Sequence, residues 1–257
     1  MKITILGSGS AFGTPQIFNC YGNANPKNPK NLRTRASIFL DIDGYNILID
    51  AGPELRTQIN QNNIQNIDSV FVTHGHYDHI GGIPELPRAT KLLGHSIDIY
   101  ASKETMDELK QSYGYLFKTK ADAEPNSKSL NWKEIEDFGD FSVNGLKFEV
   151  FQVPHHKLHP SAFRYNNFAY VTDWETIPEN ALDKLKNLEL LIIECNNGIE
   201  EEQNGHGNLN KIKELFEKIT PKKVILTHLS TRVDYDALKT YLPSNFELAY
   251  DGMAIEI

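Results

Sequence analysis

Cysteine is nearly missing from this chain of 257 residues: only Cys20 and Cys195 occur. Two isolated thiols build neither a disulfide framework nor a cysteine-based structural zinc site, which points to a cytoplasmic protein. Long hydrophobic runs are missing too. No stretch approaches the roughly 20 apolar residues of a membrane-crossing helix. Residues 1–7 are too short and wrongly flanked for a secretory leader and read instead as a first strand. Basic charge is in deficit, with 26 Lys and Arg against 34 Asp and Glu and a net charge of −8. That balance disfavours a broad surface for nucleic acid or anionic membrane and leaves a small substrate as the expected partner. A chain of this length can bury one large core, so residues 1–257 read as a single domain.

What is present is a succession of short β-branched and apolar runs. They lie at residues 36–42, 45–49, 69–73, 97–100, 146–153, 168–172, 190–194, 223–227 and 246–257, and each predicts a strand. Between them, residues 53–62, 102–117, 178–187, 209–219 and 235–242 space apolar side chains three and four apart, as surface helices do. Leu190-Leu191-Ile192-Ile193 is apolar without alternation and predicts a strand covered on both faces. The whole set predicts an α/β fold, two sheets packed face to face with helices outside. Residues 14–32 hold three prolines, five asparagines and little periodicity, and so predict a long loop. Residues 121–129 read as a short polar connection.

The run Thr73-His74-Gly75-His76-Tyr77-Asp78-His79 directly follows the apolar Ser69-Val70-Phe71-Val72. It places three imidazoles and a carboxylate at a strand end, a donor set suited to zinc, manganese or iron. Once further histidines join, the donors exceed what one tetrahedral ion takes, so two divalent metal ions are expected. Asp50, His155, Asp173 and His228 also close predicted strands. Any one of them alone reads first as a hydrogen-bonded structural group. Their repetition points to a single rim on which several strands converge.

Other residues carry two meanings. Arg33 and Arg35 offer guanidinium forks suited to substrate phosphate, or salt bridges that brace the long loop. Lys157, two residues past His155, has the same ambiguity. His156 and His159 read as polar loop residues, His95 as structural, and Cys195 as a small buried hydrophobe. His206, between Gly205 and Gly207, is either an exposed turn residue or a group that its glycines let approach a ligand closely.

The strand-end Asp50, the His-x-His-x-Asp-His run at 74–79 and the strand-end His155, Asp173 and His228 together resemble the metallo-β-lactamase superfamily over nearly the whole chain. The resemblance implies a four-layer αβ/βα sandwich. It implies that His74, His76 and His155 hold one ion, that Asp78, His79 and His228 hold a second, and that Asp173 bridges them while Asp50 orients a ligand. Gly7-Ser8-Gly9, Gly13-Thr14-Pro15, Arg33-Thr34-Arg35-Ala36-Ser37 and Ala249-Tyr250-Asp251-Gly252 are similar to the branch that includes the phosphoribosyl cyclic-phosphate phosphodiesterases. Gly205-His206-Gly207-Asn208 resembles that branch and the tRNA 3′-processing ribonucleases, in which the matching histidine is catalytic and binds no metal.

The implied activity is hydrolysis of a small cyclic phosphate or nucleotide-like phosphodiester by a metal-bridging hydroxide. Zinc or manganese is the expected ion, with iron also accepted. His206 and, among the ligands, Asp78 are the candidate catalytic residues; His206 would protonate the leaving group or donate to a non-bridging oxygen. The alternatives are tRNA 3′ processing and lactonase or thioesterase chemistry on the same ions. The short span between His155 and Asp173 leaves no room for the ribonuclease's basic arm. The resemblance also points to a homodimer. One departure stands out: the branch carries several cysteines before the Arg-Thr-Arg run, and these hold a structural zinc. With Cys20 alone here, we expect that zinc to be missing and prolines and side-chain hydrogen bonds to order the loop.

Overall fold

The computed structural model describes residues 1–117, 129–199 and 205–257, so the polar connection read at 121–129 lies outside the described residues except for Ser129. Among the described residues the strands form two mixed sheets of seven. The first runs in the order β14 (Met253–Glu256), β1 (Lys2–Gly7), β2 (Ser37–Ile42), β3 (Tyr45–Ile49), β4 (Ser69–Phe71), β5 (Ile97–Ser102) and β6 (Leu130–Ile135). The second runs β13 (Phe246–Leu248), β12 (Lys223–Thr227), β11 (Leu190–Glu194), β10 (Phe168–Val171), β9 (Ser161–Tyr165), β8 (Leu146–Gln152) and β7 (Phe138–Val143). Strands β3 to β6 are parallel, as are β10 to β13. Parallel neighbours deliver their carboxyl ends to one edge, which is where open α/β sheets bind ligands.

Alternation is present inside the continuous apolar runs. Val70 faces outward into a cluster with Leu48, Ile99 and Leu109, while Phe71 faces the other sheet. Leu191 and Ile193 likewise pack outward, and Leu190 and Ile192 inward. Helices α1 (Leu55–Gln61), α3 (Leu86–Leu93) and α4 (Lys103–Tyr113) supply Leu55, Leu86 and Met106 to the first outer cluster. Helices α6 (Leu209–Ile219) and α7 (Tyr235–Lys239) supply Ile212, Leu215 and Leu238 to the second. With the inter-sheet cluster between them, these layers make the αβ/βα sandwich. Among the described residues no helix is long and apolar enough to cross a membrane.

Phe71 sits at the centre of the inter-sheet cluster, fully buried, with ring centroids of Tyr100, Phe141, Phe148 and Phe163 at 5.4, 5.2, 5.0 and 5.2 Å. Phe71→Ala is expected to cost about 3–5 kcal/mol in chemical denaturation, since the rigid rings around it cannot close the void.

Several elements differ from the sequence expectation. Residues 246–257 are two strands, one in each sheet: Tyr250, Asp251 and Gly252, the last at φ 84, turn the chain between them. β6, β7 and β9 were not predicted, because LNWKEI and FGDFSV are sheet edges with exposed polar positions and SAFRY is short. The helix expected at 102–117 ends at Tyr113 and continues as a 3-10 turn, Gly114–Leu116. That expected at 178–187 is two short turns, Glu179–Leu182 and Asp183–Leu185.

The long loop is tied down by hydrogen bonds to the start of α7. Asn25 N and Asn31 Nδ2 donate to Asp234 Oδ2 at 2.9 and 2.7 Å, Tyr235 N donates to Asn31 Oδ1 at 2.9 Å, and Asn28 Nδ2 donates to Asp236 Oδ2 at 3.0 Å. Cys20 is exposed.

Candidate metal centre and its acid

The His-rich run leaves β4 and, after His76, winds into the single turn α2 (Tyr77–Ile80), which turns Asp78 and His79 inward and buries both. Asp50, at the end of β3, is fully buried beneath them. It accepts from Thr73 N at 2.8 Å and Thr73 Oγ1 at 2.9 Å, and lies 2.7 Å from His79 Nδ1. A carboxylate at Nδ1 keeps the proton there and leaves Nε2 as the ligating atom. His155 is set the same way, its Nδ1 donating to Gly205 O at 2.7 Å. Asp50, Asp173 and His228 all take left-handed backbone, φ 63, 49 and 55, which turns the chain sharply as each strand ends.

The donors fall into two groups. His79 Nε2 lies 3.0 Å from Asp78 Oδ2 and 3.2 Å from Asp173 Oδ2, and His228 Nε2 lies 3.4 and 3.5 Å from the same two oxygens. His74 Nε2 is 3.0 Å from His76 Nδ1, and His155 Nε2 is 3.7 Å from Asp173 Oδ1. Asp173 thus presents one oxygen to each group. His79 Nε2 is buried and makes no hydrogen bond despite its two carboxylate neighbours, so its lone pair is aimed at the space they share. Two clusters, His74–His76–His155 and Asp78–His79–His228, each bring their ligand atoms within 4.8 Å of one another. The donor chemistry fits divalent cations.

Charge in the cluster is concentrated. Burial raises the Asp173 carboxyl, but His228 and His79 outweigh it and hold it well below the usual range. Burial lowers His228, yet Asp173 and the hydrogen bonds to Asp78 and Glu194 push it up to about 10. Such a density of negative charge is what a divalent ion neutralises.

His206 stands beside the second group, its ring stacked on that of His228 at 5.8 Å. Its Nδ1 lies 2.5 Å from Oε1 of Glu194, and the other oxygen of Glu194 accepts from Trp174 N at 2.9 Å. Burial lowers the His206 imidazole, but the hydrogen bond and charge of Glu194 raise it above its ordinary value. Glu194 was missed in the sequence, although it ends β11 just as the other candidates end their strands. That position was the available signal, and its partner stands twelve residues further on in a loop.

The guanidinium forks considered for phosphate make contacts within the loop region, with Nε and Nη1 of Arg33 buried and left without a hydrogen-bond partner among the described residues. Arg33 is buried and donates from Nη2 to Val233 O at 2.6 Å, and Arg35 pairs with Glu54 and donates from Nε to Ala11 O at 3.0 Å. These contacts brace the loop around the site, one of the two roles open to these arginines. His159 faces Glu104 at 3.4 Å, and His95 lies 2.7 Å from Asn66 Oδ1. Cys195 is buried among apolar side chains, and burial pushes its thiol up.

A description of β-lactamase superfamily domains matches residues 45–229, the segment that carries every one of these ligand candidates. The chain belongs to the β-lactamase superfamily. It is similar to an octanoyltransferase of Porphyromonas gingivalis, 27% identical over 258 residues, covering 98% of this chain and 51% of the relative. It is also similar to a ribonuclease Z of Methanococcus maripaludis, 29% identical over 196 residues, covering 75% of this chain and 55% of the relative. The chain therefore spans about half the length of these curated relatives. The solved structure of a diphosphatase from the PhnP family superposes with a TM-score of 0.88 at 26% identity, covering 100% of this chain and 97% of that one. The metallo-β-lactamase fold and the resemblance to that branch are thereby shown.

Proposed function

We propose that this chain is a metal-dependent phosphodiesterase acting on a small cyclic phosphate or nucleotide-like phosphodiester. The observation that carries the reading is His206 held by buried Glu194 at the edge of a two-ion donor set. His74, His76 and His155 would hold one cation, Asp78, His79 and His228 the other, and Asp173 would reach both; zinc or manganese suits these donors, with iron also accepted. Bound divalent ions acidify water to a pKa of roughly 7 and neutralise charge on phosphoryl oxygens. Asp50 keeps His79 oriented, and Thr172 Oγ1 donates to Asp173 Oδ2 at 2.7 Å, fixing that carboxylate. With Nδ1 of His206 bound to Glu194, Nε2 is the atom that holds a proton for the departing alkoxide. The similarity to a diphosphatase and to a ribonuclease supports phosphoryl chemistry. The octanoyltransferase name belongs to a protein twice as long and does not favour acyl chemistry here.

The test is a substrate panel run on metal-loaded protein: bis-p-nitrophenyl phosphate, adenosine 2′,3′-cyclic phosphate, a pre-tRNA and a lactone. Turnover of the first two, lost on chelation and restored by zinc or manganese, is expected. Turnover of the lactone alone, or a preference for pre-tRNA, overturns the reading.

A further inference from the structure

One ligand nitrogen from each of His155, His156 and His206 lies within 4.8 Å of the others. His155 is committed to the first ion group through Nε2, because its Nδ1 donates to Gly205 O. That leaves two imidazoles at the edge of the centre, His156 and His206, with ring centroids 6.0 Å apart. Two imidazoles on one zinc, each with a Zn–N bond of about 2.0–2.1 Å, hold their ring centres roughly 5–6 Å apart. The local backbone is arranged to keep the pair together. His155 N donates to Leu158 O at 3.0 Å and Leu158 N to His155 O at 2.9 Å, closing a two-residue turn that carries His156 at φ 53. Gly205 seats that ring: a Cβ there would stand 2.5 Å from it, just as a Cβ on Gly207 would stand 2.6 Å from the Trp174 indole. The two glycines around His206 therefore admit an aromatic ring on either side of it.

Both rings are available as ligands. Among the described residues the exposed His156 makes no hydrogen bond or ion pair. His206 is prepared as zinc ligands are, with a carboxylate oxygen of Glu194 2.5 Å from Nδ1, which fixes the ring and leaves Nε2 to bind. We propose that His156 and His206 form a third zinc site, separate from the two-ion donor set, whose occupation switches the enzyme off. Zinc takes the Nε2 lone pair of His206 and the proton on that atom passes to water, so none remains for the departing alkoxide. The inhibition, though not the site, rests on the phosphodiesterase reading and on His206 as its acid. Only two side chains hold this ion, with water completing its shell, so it exchanges with free zinc while ions held by three or more protein donors stay. Manganese binds such donors more weakly than zinc does, so the brake responds to zinc.

The experiment titrates zinc-loaded protein with further zinc, following bound zinc by equilibrium dialysis and turnover of adenosine 2′,3′-cyclic phosphate. The wild type is expected to bind one more zinc per chain than His156→Gly, a substitution at ease with the left-handed backbone there. As that ion binds, the wild-type kcat falls about a hundredfold or more, toward the level of His206→Ala. His156→Gly turns over as the wild type does before the titration and stays active through it. His159→Ala, which removes an exposed histidine of the same loop that faces Glu104, is inhibited like the wild type. Equal zinc binding by the wild type and His156→Gly, or inhibition that persists in His156→Gly, overturns the inference and leaves the phosphodiesterase reading standing. If neither this ester nor bis-p-nitrophenyl phosphate is turned over, that reading falls and the zinc count alone decides the site.

Discussion

Asp173→Asn is expected to reduce turnover by more than about a hundredfold and to lower the metal content from near two ions per chain toward one. Loss of a group that merely orients a ligand already costs about 10- to 100-fold in metal affinity or activity. Asp173 does more than orient: its Oδ1 faces His155 and its Oδ2 faces His79 and His228, at 3.7, 3.2 and 3.5 Å. Asparagine keeps the size and one carbonyl oxygen but removes the charge, and it turns an NH2 toward one donor group. Elemental analysis after dialysis, with near-ultraviolet circular dichroism to show intact packing, checks the result. A variant that keeps both ions and its turnover would remove Asp173 from the bridging position.

The second large effect concerns the acid. His206→Ala is expected to lower kcat by about 10²- to 10⁴-fold with metal content unchanged, the range general acid assistance supplies. Glu194→Gln tests why His206 is suited to the role. In the wild type Glu194 raises the His206 pKa against the opposing effect of burial. A proton donor whose pKa is raised works at all pH values below that pKa and fails as pH rises through it. Removing the Glu194 charge lets the His206 pKa fall, so the alkaline limb of the kcat profile moves to lower pH. Activity at mildly acidic pH is reduced less than activity at pH 8. If the limb stays in place in Glu194→Gln with metal content retained, another group donates the proton.

Much of this centre was legible because ligand residues at strand ends need only the period of the strand and the chemistry of the side chain to be recognised. Asp50, His74, His76, Asp78, His79, His155, Asp173 and His228 all met that condition, and the structure draws them together. Glu194 met it too, but Leu190-Leu191-Ile192-Ile193 invited a purely apolar reading that ran through to Cys195. Arg33 and Arg35 show the opposite limit. A guanidinium advertises phosphate and carboxylate equally, and neither Glu54 nor the Val233 carbonyl can be placed beside it until the chain is folded. Residues 246–257 were misread for a related reason. Alternation identifies a strand but not the sheet it joins, and the crossing at Gly252 is made by backbone rather than by hydrophobic pattern.

Left-handed backbone at Asp50, Asp173 and His228 bears on what each of these residues costs the fold. Aspartate and histidine both enter that conformation more readily than most residues, yet each still holds it at a cost of order 1–3 kcal/mol. Glycine at position 228 would relax the backbone while abolishing a ligand. Stability and ligand chemistry thus pull in opposite directions at that one position.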